Sequence, residues 1–360
     1  MEMELDSVVV IDIESAIDNA KYYEYEDMVD SIKIILLETN ESSMLSNIIE
    51  VVVGDEFIYT VDQYQGGRVS IFDLNGKFIR SIPKGQAPEE TVSASSICYN
   101  KEYKHLYVYD VVTSKIIKFT SDGRYLSHNY LEGRQIRQIA TVDTSLLIAK
   151  HYKNEFQIAR IDTMLGNMEL WQLGDDDYNC LINFFQSYDK GLNVSKLLDN
   201  KIYYYKNNEL TTKYIIEYNI PKIDPLLYDR DIRAMSGDIP DNSYLYLGRN
   251  YELKDYLIVE MCMKGGVSKR IFYNKNNKQS WIRKVKYQSL FNYIIIEYFY
   301  KSDGNWLMGI IDTEFFTRQD YRWDGSNIGG LISDADMEKL RNVKPDDNPI
   351  IVLFKLKDEI

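Results

Sequence analysis

Histidine and cysteine side chains are the first candidates for metal or thiol chemistry, and the sequence has three of each. His105, His128 and His151 lie 23 residues apart, and successive cysteines lie 82 residues apart. The cysteines are Cys98, Cys180 and Cys262. A shared zinc or iron ion needs ligands that converge in space. The repeat described below places the histidines on different strands and the cysteines about two repeats apart. We therefore expect no transition-metal site, and buried free thiols.

Carboxylate clusters are the second group of candidates. Residues 175–177 and 346–347 are runs of aspartate, whose oxygens suit calcium. Neither run has the alternating spacing of a calcium loop, so we expect both to be solvated. We predict no cofactor and leave calcium open. The sequence has no Walker, HExxH, CxxC or GxSxG pattern.

An internal repeat supplies the elements that position these residues. Residues 57–80 (FIYTVDQYQGGRVSIFDLNGKFIR) align with residues 105–126 (HLYVYDVVTSKIIKFTSDGRYL), which makes Asp62 equivalent to Asp110. A period of roughly 40–50 residues is typical of β-propellers, in which each repeat is a four-stranded blade. The repeat therefore predicts an all-β fold, a β-propeller with six blades.

Composition agrees with strands. The chain has 30 tyrosines and 13% aromatic residues, and aromatic side chains favour strands. Asn75-Gly76 and Asp122-Gly123 lie between apolar runs, where such dipeptides favour two-residue hairpins.

The blade boundaries follow from the apolar runs. We predict blades at 47–82, 94–130, 136–173, 193–220 and 244–287, and a sixth that starts near 292. An insertion is expected at 174–192, within which 178–189 is ambiguous between helix and loop.

The two chain ends are predicted to meet in the sixth blade. Residues 306–312 and 349–356 would form strands there, and 31–38 would supply the fourth strand and close the ring. Ser333 and Asp336 resemble a helix-capping box and predict a short helix after them. Residues 1–30 are polar and acidic, which predicts an N-terminal arm before a single propeller domain at 31–360.

Four segments resemble the six-bladed β-propeller family common in gut Bacteroidetes, whose members have NHL-like repeats. They are LET at 37–39, FDLNGKFIR at 72–80, KGQAPEE at 84–90 and NPIIVLFKLK at 348–357. Ala87 and Thr91 stand where the family prefers glycine and an aromatic residue. The resemblance implies a protein of the cell envelope, exported as a lipoprotein, and no particular activity.

The loops at one face of the ring form the predicted ligand-binding site. In NHL-like propellers, the loops after the second strand and the connections between blades share one face. We call the loops 62–68, 84–90 and 110–115 the rim. Its candidate ligand-binding residues are Asp62, Arg68, Lys84, Glu89, Glu90, Asp110 and Lys115. The alternative is that Asp62 and Asp110 only cap turns, as aspartate often does.

Two classes of function compete. The first is an extracytoplasmic binding or scaffolding module for a glycan or peptide at the channel mouth. The second is a propeller hydrolase or lyase, lactonase-like or glycan-active, which would need repeated acids on the inner strands. The inner strands supply Glu50 and Asn100 but no repeated acidic position. The sequence therefore favours binding over catalysis.

Net charge restricts the partners. The chain carries a formal charge of −13, which opposes binding to nucleic acid and to anionic membranes. We expect membrane association only through a lipid anchor absent from this chain, and a monomer in the periplasm or cell envelope.

Overall fold

The computed structural model describes residues 8–22, 25–131, 136–142, 145–150, 158–162, 168–171, 182–196, 199–219, 243–264, 268–284, 299–303, 306–313, 327, 330–358 and 360. The chain divides into two compact units. The first unit comprises 1–24, 173–286 and 302–305, and the second comprises 25–172, 287–301 and 306–360.

The N-terminal segment alternates short strands and helices. It forms β1 (Val9–Asp12), α1 (Ile13–Asp18), β2 (Lys21–Tyr22), α2 (Tyr25–Met28) and β3 (Val29–Leu36). Asp12 begins α1 as its N-cap, where the carboxylate accepts from Ser15 N at 3.1 Å.

Three four-stranded sheets follow, and each uses consecutive strands. Sheet one holds β4 (Ile48–Val53), β5 (Phe57–Asp62), β6 (Arg68–Asp73) and β7 (Phe78–Ser81). Sheet two holds β8 (Ala94–Asn100), β9 (His105–Asp110), β10 (Lys115–Thr120) and β11 (Tyr125–Tyr130). Sheet three holds β12 (Ile136–Val142), β13 (Ser145–Lys150), β14 (Ile158–Asp162) and β15 (Met168–Trp171).

The first unit contains two sheets that each gain a fifth strand from the N-terminal segment. Sheet four holds β16 (Ile182–Tyr188), β17 (Gly191–Lys196), β18 (Lys201–Lys206) and β19 (Glu209–Glu217), with β1 parallel to β19. Sheet five holds β20 (Leu245–Glu252), β21 (Tyr256–Cys262), β22 (Ser268–Asn274) and β23 (Ser280–Lys284), with β2 parallel to β23. The apolar core of this unit includes Ile11, Ile13 and Ala16, which are buried against sheets four and five.

Sheet six joins the two ends of the chain, as predicted. It runs in the order β24 (Phe299–Asp303), β25 (Trp306–Ile311), β26 (Ile350–Leu356), β3. Helix α3 (Asp334–Arg341) precedes β26 and begins at the predicted cap, since Ser333 Oγ accepts from Asp336 N at 3.1 Å. Six sheets built on four strands each are the strand content of a six-bladed β-propeller, and this confirms the predicted fold class. The division into an arm at 1–30 and a domain at 31–360 stays a prediction.

Asn348 fixes the junction of the chain ends in the second unit. Its side chain accepts from Leu45 N at 2.7 Å and donates to Glu38 O at 2.8 Å and Ser43 O at 2.9 Å. Asn348 is 2% exposed, so these bonds satisfy a buried amide.

The predicted insertion at 174–192 is wrong in part. Residues 182–188 form β16, and β17 begins at Gly191, so sheet four starts before residue 193. Asp189 and Lys190 both have positive φ, of 41° and 58°, as in the two-residue turns that suit twisted hairpins. Neither residue is glycine or asparagine, and the sequence therefore hides this turn.

The predicted two-residue hairpins at Gly76 and Gly123 are also wrong in detail. Gly76 N donates to Asp73 O, and Asp73 N donates to Lys77 O at 2.9 Å. These bonds enclose three loop residues, of which only Gly76 has positive φ, at 86°. The same pattern recurs at Gly123, so each glycine ends a three-residue turn.

A repeated register shift shapes the first strand of sheets one to four. The shifts lie between Ile48 and Glu50, Ala94 and Ser96, Ile136 and Gln138, and Ile182 and Phe184. In sheets one and two, the side chain of the residue after the shift accepts a hydrogen bond from a backbone N–H of the next sheet. Glu50 Oε2 accepts from Ile97 N at 2.8 Å, and Ser96 Oγ accepts from Ile139 N at 3.1 Å.

Candidate functional site

Asp62 fixes the first loop of the rim. It is the last residue of β5 and is fully buried. Its carboxylate accepts from Ser46 N at 2.5 Å, and from Asn47 N and Gln65 N at 3.3 Å each. A buried carboxylate is stabilised by such bonds, and here it holds the segment before β4 against the loop after β5.

Asp110 has the same role in sheet two. It ends β9, is fully buried and accepts from the backbone on both sides. Its donors are Val92 N, Ser93 N at 3.3 Å, Val112 N at 3.0 Å and Thr113 N at 3.1 Å. The sequence repeat thus reflects a repeated backbone-capping carboxylate, as the alternative interpretation of the two aspartates predicted.

Lys115 organises the connection between sheets one and two. The residue is 1% exposed, and its Nζ donates to Ala87 O at 2.9 Å and Glu90 O at 2.8 Å. Burial lowers the pKa of Lys115, and the charges of Asp110, Glu90 and Glu89 oppose that shift. The loop therefore wraps around an ammonium group that its own carbonyls satisfy.

Lys84 links its own loop to the first loop of the rim and to the segment before β8. Its Nζ donates to Gly66 O in the first loop and to Val92 O beside Asp110. Burial of the ammonium lowers the pKa of Lys84, and Asp110 acts against this. Glu90 closes the same connection, since its carboxylate accepts from Ala87 N at 2.9 Å.

Arg68 links the rim to the segment before β4. Its guanidinium donates to Ser42 O at 3.3 Å and to Met44 O. Burial lowers the pKa of Arg68, and the Asp62 carboxylate opposes this. Of the seven predicted rim residues, Glu89 is exposed, and the other six each bond at least one backbone group.

The exposed surface of the rim includes large apolar side chains beside polar ones such as Gln63 and Gln86. Tyr64 is 78% exposed and Val112 64% exposed, and each lies two residues after a capping aspartate. Met44, whose carbonyl is bound by Arg68, is 48% exposed, and Val111 is 40% exposed. The structure brings Asp62, Asp110 and Lys115 together as buried residues beneath these loops, whereas Lys84 and Glu89 are exposed. Their role as ligand-binding residues stays a prediction.

Other predicted candidates lie elsewhere. Cys98 and Cys262 are buried, as expected, and form no disulfide among the described residues, whereas Cys180, His151 and 175–177 lie outside the described residues. His105 begins β9, and His128 lies in β11 with Nδ1 2.8 Å from Tyr125 Oη. In the described part of the chain, no three His, Cys, Asp or Glu side chains form a group able to hold a metal ion.

A cluster in the first unit was not predicted from the sequence. Glu252 ends β20 and is 1% exposed, yet it meets two lysines. Lys275 Nζ lies 2.7 Å from Glu252 Oε1, and Lys213 Nζ lies 2.9 Å from the same oxygen. Tyr214 Oη donates to Oε1 at 2.7 Å, and Asn193 Nδ2 donates to Oε2 at 2.6 Å. We call these residues, with Tyr188 and Tyr204, the Glu252 cluster.

Aromatic rings complete the Glu252 cluster. Lys213 Nζ lies 4.3 Å from the ring centroid of Tyr188 and 4.4 Å from that of Tyr204, within cation–π range. Burial raises the pKa of Tyr188 to about 12, aided by the charge of Glu252. Burial alone would raise the pKa of Glu252, but Lys275 and Lys213 outweigh it and hold that pKa below the ordinary value. Burial lowers the pKa of both lysines against the pull of Glu252.

Comparisons with known proteins give a family and a fold. One protein family, described as a domain of unknown function (DUF4934), matches residues 8–355. No curated protein sequence matches that of this chain. The crystal structure of a Bacteroides fragilis protein named "putative exported protein" is similar with a TM-score of 0.73 at 14% identity, over 98% of this chain and 100% of that one.

A second solved structure is less similar. It is a member of the DUF4221 family from Bacteroides vulgatus, with a TM-score of 0.52 at 9% identity, over 91% of this chain and 97% of that one. At these identities the likeness concerns the fold. No helix in the described ranges is long and apolar enough to cross a bilayer.

Proposed function

The chain belongs to the DUF4934 family, and we propose that it is an extracytoplasmic binding module whose contact surface is the rim. The observation that carries this proposal is the pair of exposed side chains Tyr64 and Val112, which occupy equivalent positions in the loops that follow β5 and β9. Exposed apolar groups on a fixed frame are a common basis for recognition.

The bonds beneath the rim support the proposal because they make the surface rigid in advance. Asp62, Asp110, Lys84 and Lys115 each bond two or more backbone groups of the loops. A loop held in one conformation loses little conformational entropy when a ligand binds. The same bonds use the polar atoms of these side chains, so contact with a ligand falls to exposed side chains such as Tyr64, Val112 and Glu89, with Gln63 and Gln86 beside them.

The side chains of Tyr64 and Val112 favour a neutral ligand. A tyrosine ring can stack on the apolar face of a sugar or on an uncharged peptide, and its hydroxyl remains free to bond. The net charge of −13 opposes polyanions. We therefore assign the site to a neutral glycan or an uncharged peptide segment.

Export is supported by one comparison. The Bacteroides fragilis protein that shares the fold is named as exported, and its likeness covers 98% of this chain. Fractionation of cells that express the native gene tests this directly. Recovery of the protein in the cytosolic fraction alone would contradict the extracytoplasmic part of the proposal.

Binding to an array of neutral oligosaccharides and uncharged peptides tests the rim. The double variant Tyr64→Ser with Val112→Ser should bind about tenfold or more weakly while its melting temperature stays near that of the wild type, because both side chains are exposed. Tyr103→Ser is the matched control, since Tyr103 is 41% exposed in the turn before β9. Unchanged binding by the double variant, or equal loss in the control, would refute the rim as the contact surface. Turnover of an arrayed sugar would instead favour the hydrolase or lyase alternative.

A further inference from the structure

The outer strands of several sheets are covered on their free side by other parts of the chain. In sheet four, β1 pairs in parallel with β19, from Val9 opposite Tyr214 to Asp12 opposite Glu217. In sheet five, β2 pairs in parallel with β23. Extended N-terminal segments therefore complete the edges of both sheets in the first unit.

Sheet six covers its outer strand in another way. Ile32 forms a parallel bridge with Ile332, and Ile32 N donates to Leu331 O at 3.1 Å. The Asp336 carboxylate of α3 accepts from Ile34 N at 3.3 Å. The edge of β3 is thus capped by backbone and by a carboxylate.

Strand β11 differs from these strands. It ends sheet two in the order β11-β10-β9-β8, and no strand in the described ranges pairs with its outer side. Tyr125, Leu126 and Tyr130 are 39%, 44% and 51% exposed. The sequence YLSHNY has no lysine, acid or proline, which are the residues that commonly protect a free edge from pairing.

We propose that β11 docks an extended, mainly apolar strand of a partner polypeptide by backbone pairing along its outer edge. The chain itself shows what such an occupant looks like, because β1 (VVID) has three apolar residues and lies along the outer strand of sheet four. Added strands gain affinity from main-chain hydrogen bonds and selectivity from alternate side chains. A second copy of the chain is disfavoured as the occupant, since each copy carries a charge of −13.

A synthetic peptide of residues 7–13 (SVVVIDI) is the probe, because it contains the strand that this chain already uses at an edge. Hydrogen exchange of the full chain with saturating peptide should show slowed exchange within 125–130. Two N-methylated forms of the peptide test the pairing, one methylated at the backbone nitrogens of Val8, Val10 and Asp12 and the other at those of Val9, Ile11 and Ile13. Alternate N–H groups of a strand face its partner, so methylation should abolish binding of only one of the two peptides.

His128→Pro supplies the matching change in the protein, because alternation along the β10–β11 ladder turns the N–H of His128 toward the outer edge. Proline removes this donor and is expected to weaken peptide binding about tenfold. The N-methylated peptides keep the test valid if this variant folds poorly. The proposal would be overturned if the peptide does not bind, or if both N-methylated peptides bind equally. It would also be overturned if the peptide slows hydrogen exchange at 209–217 instead of 125–130. If 125–130 exchange slowly without peptide and the protein sediments as a dimer, the occupant is a second copy of the chain. This result would also overturn the proposal.

Discussion

The rim in the second unit and the Glu252 cluster in the first unit both bury charged side chains, but they satisfy them differently. In the rim, carboxylates accept from backbone N–H groups and ammonium groups donate to backbone carbonyls. In the Glu252 cluster, the charges bond one another and the aromatic rings. The first arrangement fixes the path of loops, whereas the second joins side chains from two sheets.

The contrast indicates where a single change should matter most. A charge in the Glu252 cluster has another charge as its partner, so its removal leaves a buried ion unpaired. A rim carboxylate has backbone N–H groups as partners, and these lie in surface loops that water can reach. The expected cost is therefore larger in the cluster than in the rim.

Glu252→Gln tests the larger effect. The change leaves Lys213 and Lys275 without a counter-ion, and we expect a loss of about 3 kcal/mol in the free energy of unfolding of the first unit. Urea unfolding followed by the fluorescence of Trp281, which is 2% exposed in β23 of this unit, measures it. Glu209→Gln, an exposed change at the start of β19, is the matched control and should have almost no effect. Equal stabilities of wild type and Glu252→Gln would show that the ion cluster contributes nothing.

Asp110→Asn tests the smaller effect in the rim. The amide retains one acceptor oxygen but turns an NH2 group toward backbone donors, so we expect a loss of about 1–3 kcal/mol. Urea unfolding followed by Trp306 in β25 of the second unit is the measurement. Glu89→Gln, at an exposed position of the same rim, is the control. A loss at Asp110 that exceeds the loss at Glu252 would reverse the comparison.

Acid should remove the difference between wild type and Glu252→Gln. The pKa of Glu252 is held below its ordinary value of 4.5, so its ionised form stabilises the folded state. That contribution is complete above the ordinary pKa and is lost as the pH falls through the lower folded pKa. Unfolding free energies measured from pH 7 downward should differ by a constant amount until about pH 5 and then converge. If the difference in unfolding free energy persists at the lowest pH at which the protein still folds, the loss in Glu252→Gln is due to altered packing rather than to the charge of Glu252.

The fold could be predicted from the sequence where the repeat was regular. Sheets one and two were located almost to the residue because Asp62 and Asp110 mark equivalent strand ends. Strand β16 was missed because its hairpin uses Asp189-Lys190, which has no glycine to signal positive φ. Strand β2 has only two residues, too few to produce a periodic pattern.

The candidate site was only partly predictable. The repeat identified the rim charges, but it could not show whether their polar atoms face solvent or backbone. Tyr64 and Val112 are apolar residues in loops, and the sequence alone does not show whether such residues are exposed or buried in the core. The Glu252 cluster draws on residues from Tyr188 to Lys275, 87 positions apart, without any repeat to relate them.

The pairing of β3 with β26 sets the order in which sheet six can form. Strand β3 leaves the ribosome early, while β26, which must lie between β3 and β25, comes last. Asn348 makes its bond to Glu38 across 310 residues of chain. Closing so long a loop has a high entropic cost, and such non-local contacts slow folding. During synthesis and any transfer across a membrane, β3 would therefore remain an unpaired apolar strand, and this interval is when a chaperone should be most needed.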